Sequence, residues 1–200
     1  MNGWRFSLKP FPSAGPLPDL KIRGNVSRLS KTLAISYSLL GPLAELVIPA
    51  LAGLPARRNT LWEETCFELF LRAEDSDQYW EFNLSPAGHW NVYRFKSYRQ
   101  GMQEEPAFTS LPFRVRKQQD ACRLSLKLDL ARIIPEDQTL KVGISAVIKD
   151  INGKITYWAL THTGHQADFH RRDGFILKLQ DRPDLRKPDV SMPLRGMLKI

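Results

Sequence analysis

Along this chain, short stretches rich in aromatic and β-branched residues alternate with turn residues at intervals of roughly 8–15 positions, the spacing of antiparallel strands in a β-sandwich. The pattern predicts strands over residues 33–39, 65–72, 78–85, 89–95, 113–117, 122–128, 141–148, 155–160 and 175–179. Ser85-Pro86-Ala87-Gly88 suits a tight reversal, because proline fixes φ at the first central position and glycine reaches conformations closed to other residues. Strands 78–85 and 89–95 are therefore expected to form a hairpin, and Asn152-Gly153 marks a second between 141–148 and 155–160. The one helix predicted is short, over 129–134, with Asp129 capping its first turn and Pro135 stopping it.

Period-two alternation divides each strand into faces. Phe67, Leu69 and Leu71 share one face, and Cys66, Glu68 and Phe70 the other. In the next strand Trp80, Phe82 and Leu84 face a core, while Tyr79, Glu81, Asn83 and Ser85 point away. Glu68, Glu81 and Asn83 thus line one side of a sheet. Strand 89–95 adds either Asn91 and Tyr93 or Trp90 and Arg94, according to a register the pattern leaves open. Carboxylates, amides and rings on one face suit a sugar, whose C–H faces pack on aromatic rings while its hydroxyls bond to the polar groups. Trp62, just before the first of these strands, is placed to fold over the row as a stacking platform. The bland alternative is a solvated face paired with Arg94 or Arg99, with Trp62 plugging an open edge of the sandwich.

Composition fits one β-sandwich domain over residues 1–180, followed by a basic, poorly ordered tail over 181–200. Two cysteines, Cys66 and Cys122, read as reduced thiols, and the absence of a signal-peptide pattern or a long apolar run points to the cytoplasm and away from a membrane. The net charge of +8 raises the question of nucleic acid. Residues 1–30 hold five Lys/Arg against one Asp and residues 171–200 eight against four, so each end contributes +4 and the middle is balanced. A polyphosphate groove needs basic residues converging from folded elements, so this distribution reads as solvated ends and nucleic acid is not the expected partner.

A second constellation lies in loop 162–170, where His162, His165, His170 and Asp168 stand close in sequence. Such ligand types suit a divalent metal, though the spacing matches no standard site, and no cofactor is predicted in the first instance. No nucleophile elbow, Walker loop, zincin motif or dinucleotide fingerprint appears, so an enzyme is not expected. The generic alternative is a glycosidase-like pair formed by Glu68 and Glu81.

The segments Leu61-Trp62-Glu63-Glu64-Thr65-Cys66-Phe67-Glu68-Leu69-Phe70, Tyr79-Trp80-Glu81-Phe82-Asn83-Leu84-Ser85-Pro86-Ala87-Gly88, Ala167-Asp168-Phe169-His170 and Asp173-Gly174-Phe175 resemble, in that order, the DOMON-like group related to carbohydrate-binding module family 9. The resemblance spans roughly residues 4–180 and implies a sandwich of jelly-roll or immunoglobulin-like form whose relatives bind sugars or haem. By that resemblance Trp62 and Glu68 stand where sugar-binding relatives place a tryptophan before a strand glutamate, and Trp158 or Phe169 would close the site. For haem it implies a methionine and a histidine, here Met102 with His165 or His170. The expected function is a non-catalytic domain binding a sugar or sugar-containing metabolite through Trp62, Glu68, Glu81, Asn83, Arg94, Phe169, His165 and His170, the alternatives being a haem- or metal-binding domain, a protein-interaction domain or a glycosidase-like enzyme.

Overall fold

The computed structural model describes residues 2–12, 19–111 and 113–180, and two antiparallel sheets account for almost all of its regular structure. In chain order the strands are β1 (Asn2–Ser7), β2 (Lys9–Pro10), β3 (Lys21–Leu29), β4 (Thr32–Leu40), β5 (Cys66–Ala73), β6 (Tyr79–Leu84), β7 (Trp90–Phe95), β8 (Gln103–Glu104), β9 (Phe113–Gln118), β10 (Ala121–Asp129), β11 (Leu140–Lys149), β12 (Ile155–Ala159) and β13 (Leu177–Leu179). The five-stranded sheet runs β1-β3-β4-β10-β9, and the eight-stranded sheet β2-β12-β11-β5-β6-β7-β8 with β13 paired to β11. The expected antiparallel β-sandwich is what the chain adopts.

Alternation explains the clearest strands. In β10 the side chains of Cys122, Leu124, Leu126 and Leu128 are buried while Arg123, Ser125 and Lys127 are exposed. They meet Leu39, Tyr37, Ile35 and Leu33 of β4 across the ladder, so two apolar rows zip together on one face. The opposite sheet contributes Phe67, Leu69 and Leu71 from β5 and Trp80, Phe82 and Leu84 from β6, the division of faces predicted for both strands. Fully burying each such side chain contributes about 1.5–3 kcal/mol, and together they hold the sheets face to face.

Both predicted hairpins form. Gly88 takes φ 95° and donates to the Ser85 carbonyl at 2.9 Å, and Gly153 takes φ 82° and donates to the Asp150 carbonyl at 3.0 Å. The predicted helix over 129–134 contracts to a single 3-10 turn, Leu130–Arg132, capped by the Asp129 carboxylate accepting from the Ala131 N–H at 3.1 Å. So few residues between a strand and Pro135 cannot offset the cost of nucleating an α-helix.

Strands β1 and β3 were not legible as strands. In β3 the inward positions are Ile22, Gly24, Val26 and Arg28, so glycine and arginine interrupt the apolar row. Gly24 is required because a Cβ there would stand 1.8 Å from the Ser36 carbonyl oxygen and 2.6 Å from the Phe6 ring. Arg28 is buried and donates to the carbonyls of Ser30, Glu136 and Gln138. Cys66 and Cys122 are both buried and free. Cys122 points into the inter-sheet core and Cys66 lies on the outer face of β5. The predicted tail over 181–200 lies outside the described residues.

Candidate functional site

The centre of the eight-stranded sheet is buried on both faces, and every residue of β6 is buried. Its outer face carries a second apolar cluster of Phe70, Tyr79, Tyr93, Phe95 and Phe175, with Trp62 and Phe169 packed against it. The ladder register places Ser145 of β11, Glu68 of β5, Asn83 of β6 and Asn91 of β7 in one line across four strands. Glu81 and Tyr93 form the next line, so Glu68 and Glu81 are diagonal neighbours. The choice left open in the sequence is settled for Asn91 and Tyr93. Arg94 falls on the opposite face beside Trp80 and donates to Gln103 at 3.2 Å, so it is not brought to the row.

Two segments cover this face. A 3-10 turn at Leu61–Glu63 sets Trp62 edge-on against Tyr93, with ring centroids 5.7 Å apart. From the other side the connection between β12 and β13 returns over the sheet, bringing Phe169 to 6.0 Å from the Tyr157 ring. Asp168 clamps this connection, accepting from the Arg99 guanidinium at 2.8 Å, the Tyr98 hydroxyl at 2.5 Å and the His170 N–H at 3.1 Å. Against the cost of burial, Tyr98 and Arg99 hold the Asp168 carboxyl below its ordinary range.

Between the two segments lies a cleft of about 580 Å³. Glu68 and Glu81 form its acidic floor, Trp62, Phe95, Tyr157 and Phe169 its aromatic walls, and Arg99, Met102, Gln166 and His170 much of its rim. The alternative of a solvated polar face is overturned: Glu68 is 3% exposed, Glu81 4% and Asn83 0%. Each glutamate has one oxygen engaged, Glu68 by the Ser145 hydroxyl at 2.9 Å and Glu81 by the Asn83 amide at 2.8 Å. Burial raises both carboxyls well above the ordinary carboxylate range, Glu68 further because Glu81 is beside it, while Arg99 acts weakly in the opposite sense. The pair therefore retains a proton where isolated carboxylates have lost theirs, and presents hydrogen-bond donor and acceptor capacity together.

His170 completes the far wall. Its ring meets Phe70 and Phe95 edge-on at 5.3 and 5.1 Å, and burial, assisted by Arg99, pulls its pKa down to about 4. The imidazole is thus neutral, and its 3.8 Å approach to Glu81 is not an ion pair. The Arg99 backbone N–H donates to the Tyr79 hydroxyl at 3.2 Å, and that hydroxyl is hydrogen-bonded to His170 Nδ1 at 2.8 Å.

Of the residues singled out in the sequence, Trp62, Glu68, Glu81, Phe169 and His170 line the cleft, and Asn83 supports it from beneath. His165 is exposed, and His162 Nε2 lies 2.9 Å from the Lys9 carbonyl, so the histidine loop does not converge. Among the described residues no group of three or more His, Cys, Asp or Glu side chains is arranged to hold a metal ion. Trp158 is buried in the inter-sheet core. Tyr157 and Gln166 carry no periodic signal and reach the cleft only through the fold.

No family model matches the sequence, and no curated protein matches it. Solved structures do resemble it in fold. A candidate carbohydrate-binding protein from Bacteroides uniformis superposes with a TM-score of 0.63 at 12% identity, covering 90% of this chain and 86% of that one. A family 9 carbohydrate-binding module from Caldicellulosiruptor kristjanssonii in complex with cellotriose gives 0.51 at 10% identity over 90% and 84%. A module of that family from the same organism, in complex with glucose, gives 0.50 at 11% identity over 86% and 83%. The chain thus has the β-sandwich fold seen in family 9 carbohydrate-binding modules.

Proposed function

We propose that this chain is a non-catalytic domain that binds a sugar or sugar-containing metabolite in the cleft on the outer face of the eight-stranded sheet. The observation that carries the reading is that the polar row is sunk beneath aromatic walls. Polar groups at such depth are aimed at a ligand, and a concave, partly apolar site with a few convergent polar groups is the usual form of a small-molecule pocket. Glu68 and Glu81 each keep one oxygen for ligand hydroxyls, Arg99 and Gln166 add donors at the rim, and Trp62, Tyr157 and Phe169 offer ring faces for sugar C–H groups. The fold-sharing modules solved with cellotriose and glucose support the same ligand class. The kinship with DOMON-like domains belongs to this proposal as well.

Haem is less well served. Met102 and His170 both line the cleft, but His170 Nδ1 is hydrogen-bonded to the Tyr79 hydroxyl and its Nε2 lies 3.8 Å from a Glu81 oxygen, so ligation would disturb the contacts that position the ring.

A thermal-shift screen against mono- and disaccharides, nucleotide-sugars, haem and divalent metals tests the reading, since selective binding to the folded state raises Tm by mass action. One sugar is expected to shift Tm, and Trp62→Ala to weaken that sugar by about 1 kcal/mol, roughly five-fold in Kd, with the fold intact. A shift with haem or a metal alone, or none at all, would overturn it.

A further inference from the structure

The open face of the five-stranded sheet has a different chemistry from the cleft. Its outward positions bring together Arg5 from β1, Lys21 and Arg23 from β3, Arg123 and Lys127 from β10, and Arg114 and Arg116 from β9, all exposed. Among the described residues none of the seven is in an ion pair, and the one side-chain bond they make is from Arg123 to Gln118 at 2.6 Å. The one acidic residue at an outward position of these strands is Asp129, at the end of β10, where it caps the following turn.

The cations are not scattered. The register aligns Arg5, Asn25, Ser36, Ser125 and Arg114 in one row, and Ser7, Arg23, Ser38, Arg123 and Arg116 in the next. Two basic rims, β1 with β3 and β10 with β9, therefore flank a central strand whose outward residues include Ala34, Ser36 and Ser38. The rim strands β3 and β10 lie two ladder spacings apart, about 10 Å, and the floor along β4 extends for about 30 Å. Small floor residues leave a depression of about 490 Å³ that runs from Asn25 of β3 across Ala34, Ser36 and Ser125 to Arg114 and Lys127, with Arg5 and Arg23 beyond its β3 side and Arg116 and Arg123 in the neighbouring row.

We propose that this depression is a second binding site, and that it takes one extended chain of an acidic polysaccharide laid along β4, its carboxylate or sulfate groups between the two arginine rims. Charge complementarity selects a polyanion. The floor selects its class, because serine hydroxyls and the Asn25 amide match sugar hydroxyls. Nucleic acid fits less well. The one aromatic ring lining the depression, Phe113, is partly buried and packs against the inter-sheet core, so the row of exposed rings that stacks single-stranded bases is missing, and the face has no element to enter a duplex groove. The site is independent of the cleft, which opens on the other sheet.

Fluorescein-labelled dextran sulfate, with neutral dextran, alginate and DNA in parallel, tests this by anisotropy. Dextran sulfate and alginate are expected to bind at about 50 mM salt and to lose at least ten-fold in affinity by about 200 mM, as counterion release requires. Neutral dextran is expected not to bind. The double variant Arg23→Ser/Arg123→Ser is expected to weaken both polyanions at least ten-fold while keeping the wild-type Tm, and Arg114→Ser/Arg116→Ser gives the same readout from the other rim. Absence of binding at low salt overturns the proposal. So does undiminished affinity in both double variants, which assigns the charge effect to the basic C-terminal segment. Tighter binding of DNA than of either polysaccharide overturns the assigned class. A negative sugar screen at the cleft would leave these outcomes unchanged.

Discussion

The two outer faces of this sandwich are built from the same strand geometry and have opposite characters. On the five-stranded sheet the outward residues are mostly small or polar, with Ala34, Ser36 and Ser38 half-buried along the central strand and exposed arginines and lysines around them. On the eight-stranded sheet the outward positions of β5, β6 and β7 carry Phe70, Tyr79, Tyr93 and Phe95 beside Glu68, Glu81 and Asn83, and the chain crosses that face twice to cover them. Rings recruit the covering segments, and the covering segments then convert carboxylates that would be solvated into a buried, proton-retaining pair. Four basic residues of the chain's middle, Arg114, Arg116, Arg123 and Lys127, join those of the N-terminal strands on the open face, while Glu68 and Glu81 lie on the covered one.

Phe70 is an outward residue of the covered face and is 1% exposed. Phe70→Ala is expected to destabilise the fold by about 3–5 kcal/mol in urea titration, a core-sized loss at a position facing away from the main core. A loss under about 1 kcal/mol would mean that the covering connection does not pack there.

Acidity gives the next largest effect. The folded chain holds a proton on the Glu68 and Glu81 pair that the unfolded chain releases near the ordinary value of 4.5, so stability is greatest below that value and falls as pH rises through the raised range. His170, pulled down to about 4, works in the opposite direction, but only below its ordinary value of 6.5. Between pH 6.5 and about 8 the carboxyl pair therefore acts without that opposition, and Tm by calorimetry is expected to decline across this window. Glu68→Gln is expected to flatten the decline. An equally steep profile in the variant would show that the pair is not what titrates.

Arg116→Ser, on the exposed face and without a described partner, is expected to change stability by no more than about 0.5 kcal/mol in the same titration. A larger loss would mean that the open face is held by contacts of its own.

How much of this was legible follows from the range over which each signal acts. Alternation in β5, β6 and β10, the reversals at Gly88 and Gly153 and the facing of Glu68, Glu81 and Asn83 are local, and each can be read from a few consecutive side chains. Strand β3 was hidden because its inward positions serve partners far away in the chain. Gly24 makes room for Phe6 and the Ser36 carbonyl, and Arg28 satisfies carbonyls near residue 136. Arg94 and Asn91 differ by an odd step along one strand, and only the ladder with β6 decides which faces the row.

By itself, then, the sequence determined the fold class, the strands with clean alternation and the residue types of the polar row, because period two and turn chemistry are properties of neighbours. Only the tertiary structure decided that the row is buried, that His170 reaches it while His165 does not, and that cations from the N-terminal strands and the middle of the chain share one face. Those outcomes depend on pairings and coverings between residues tens of positions apart, where no local pattern constrains which side chains meet.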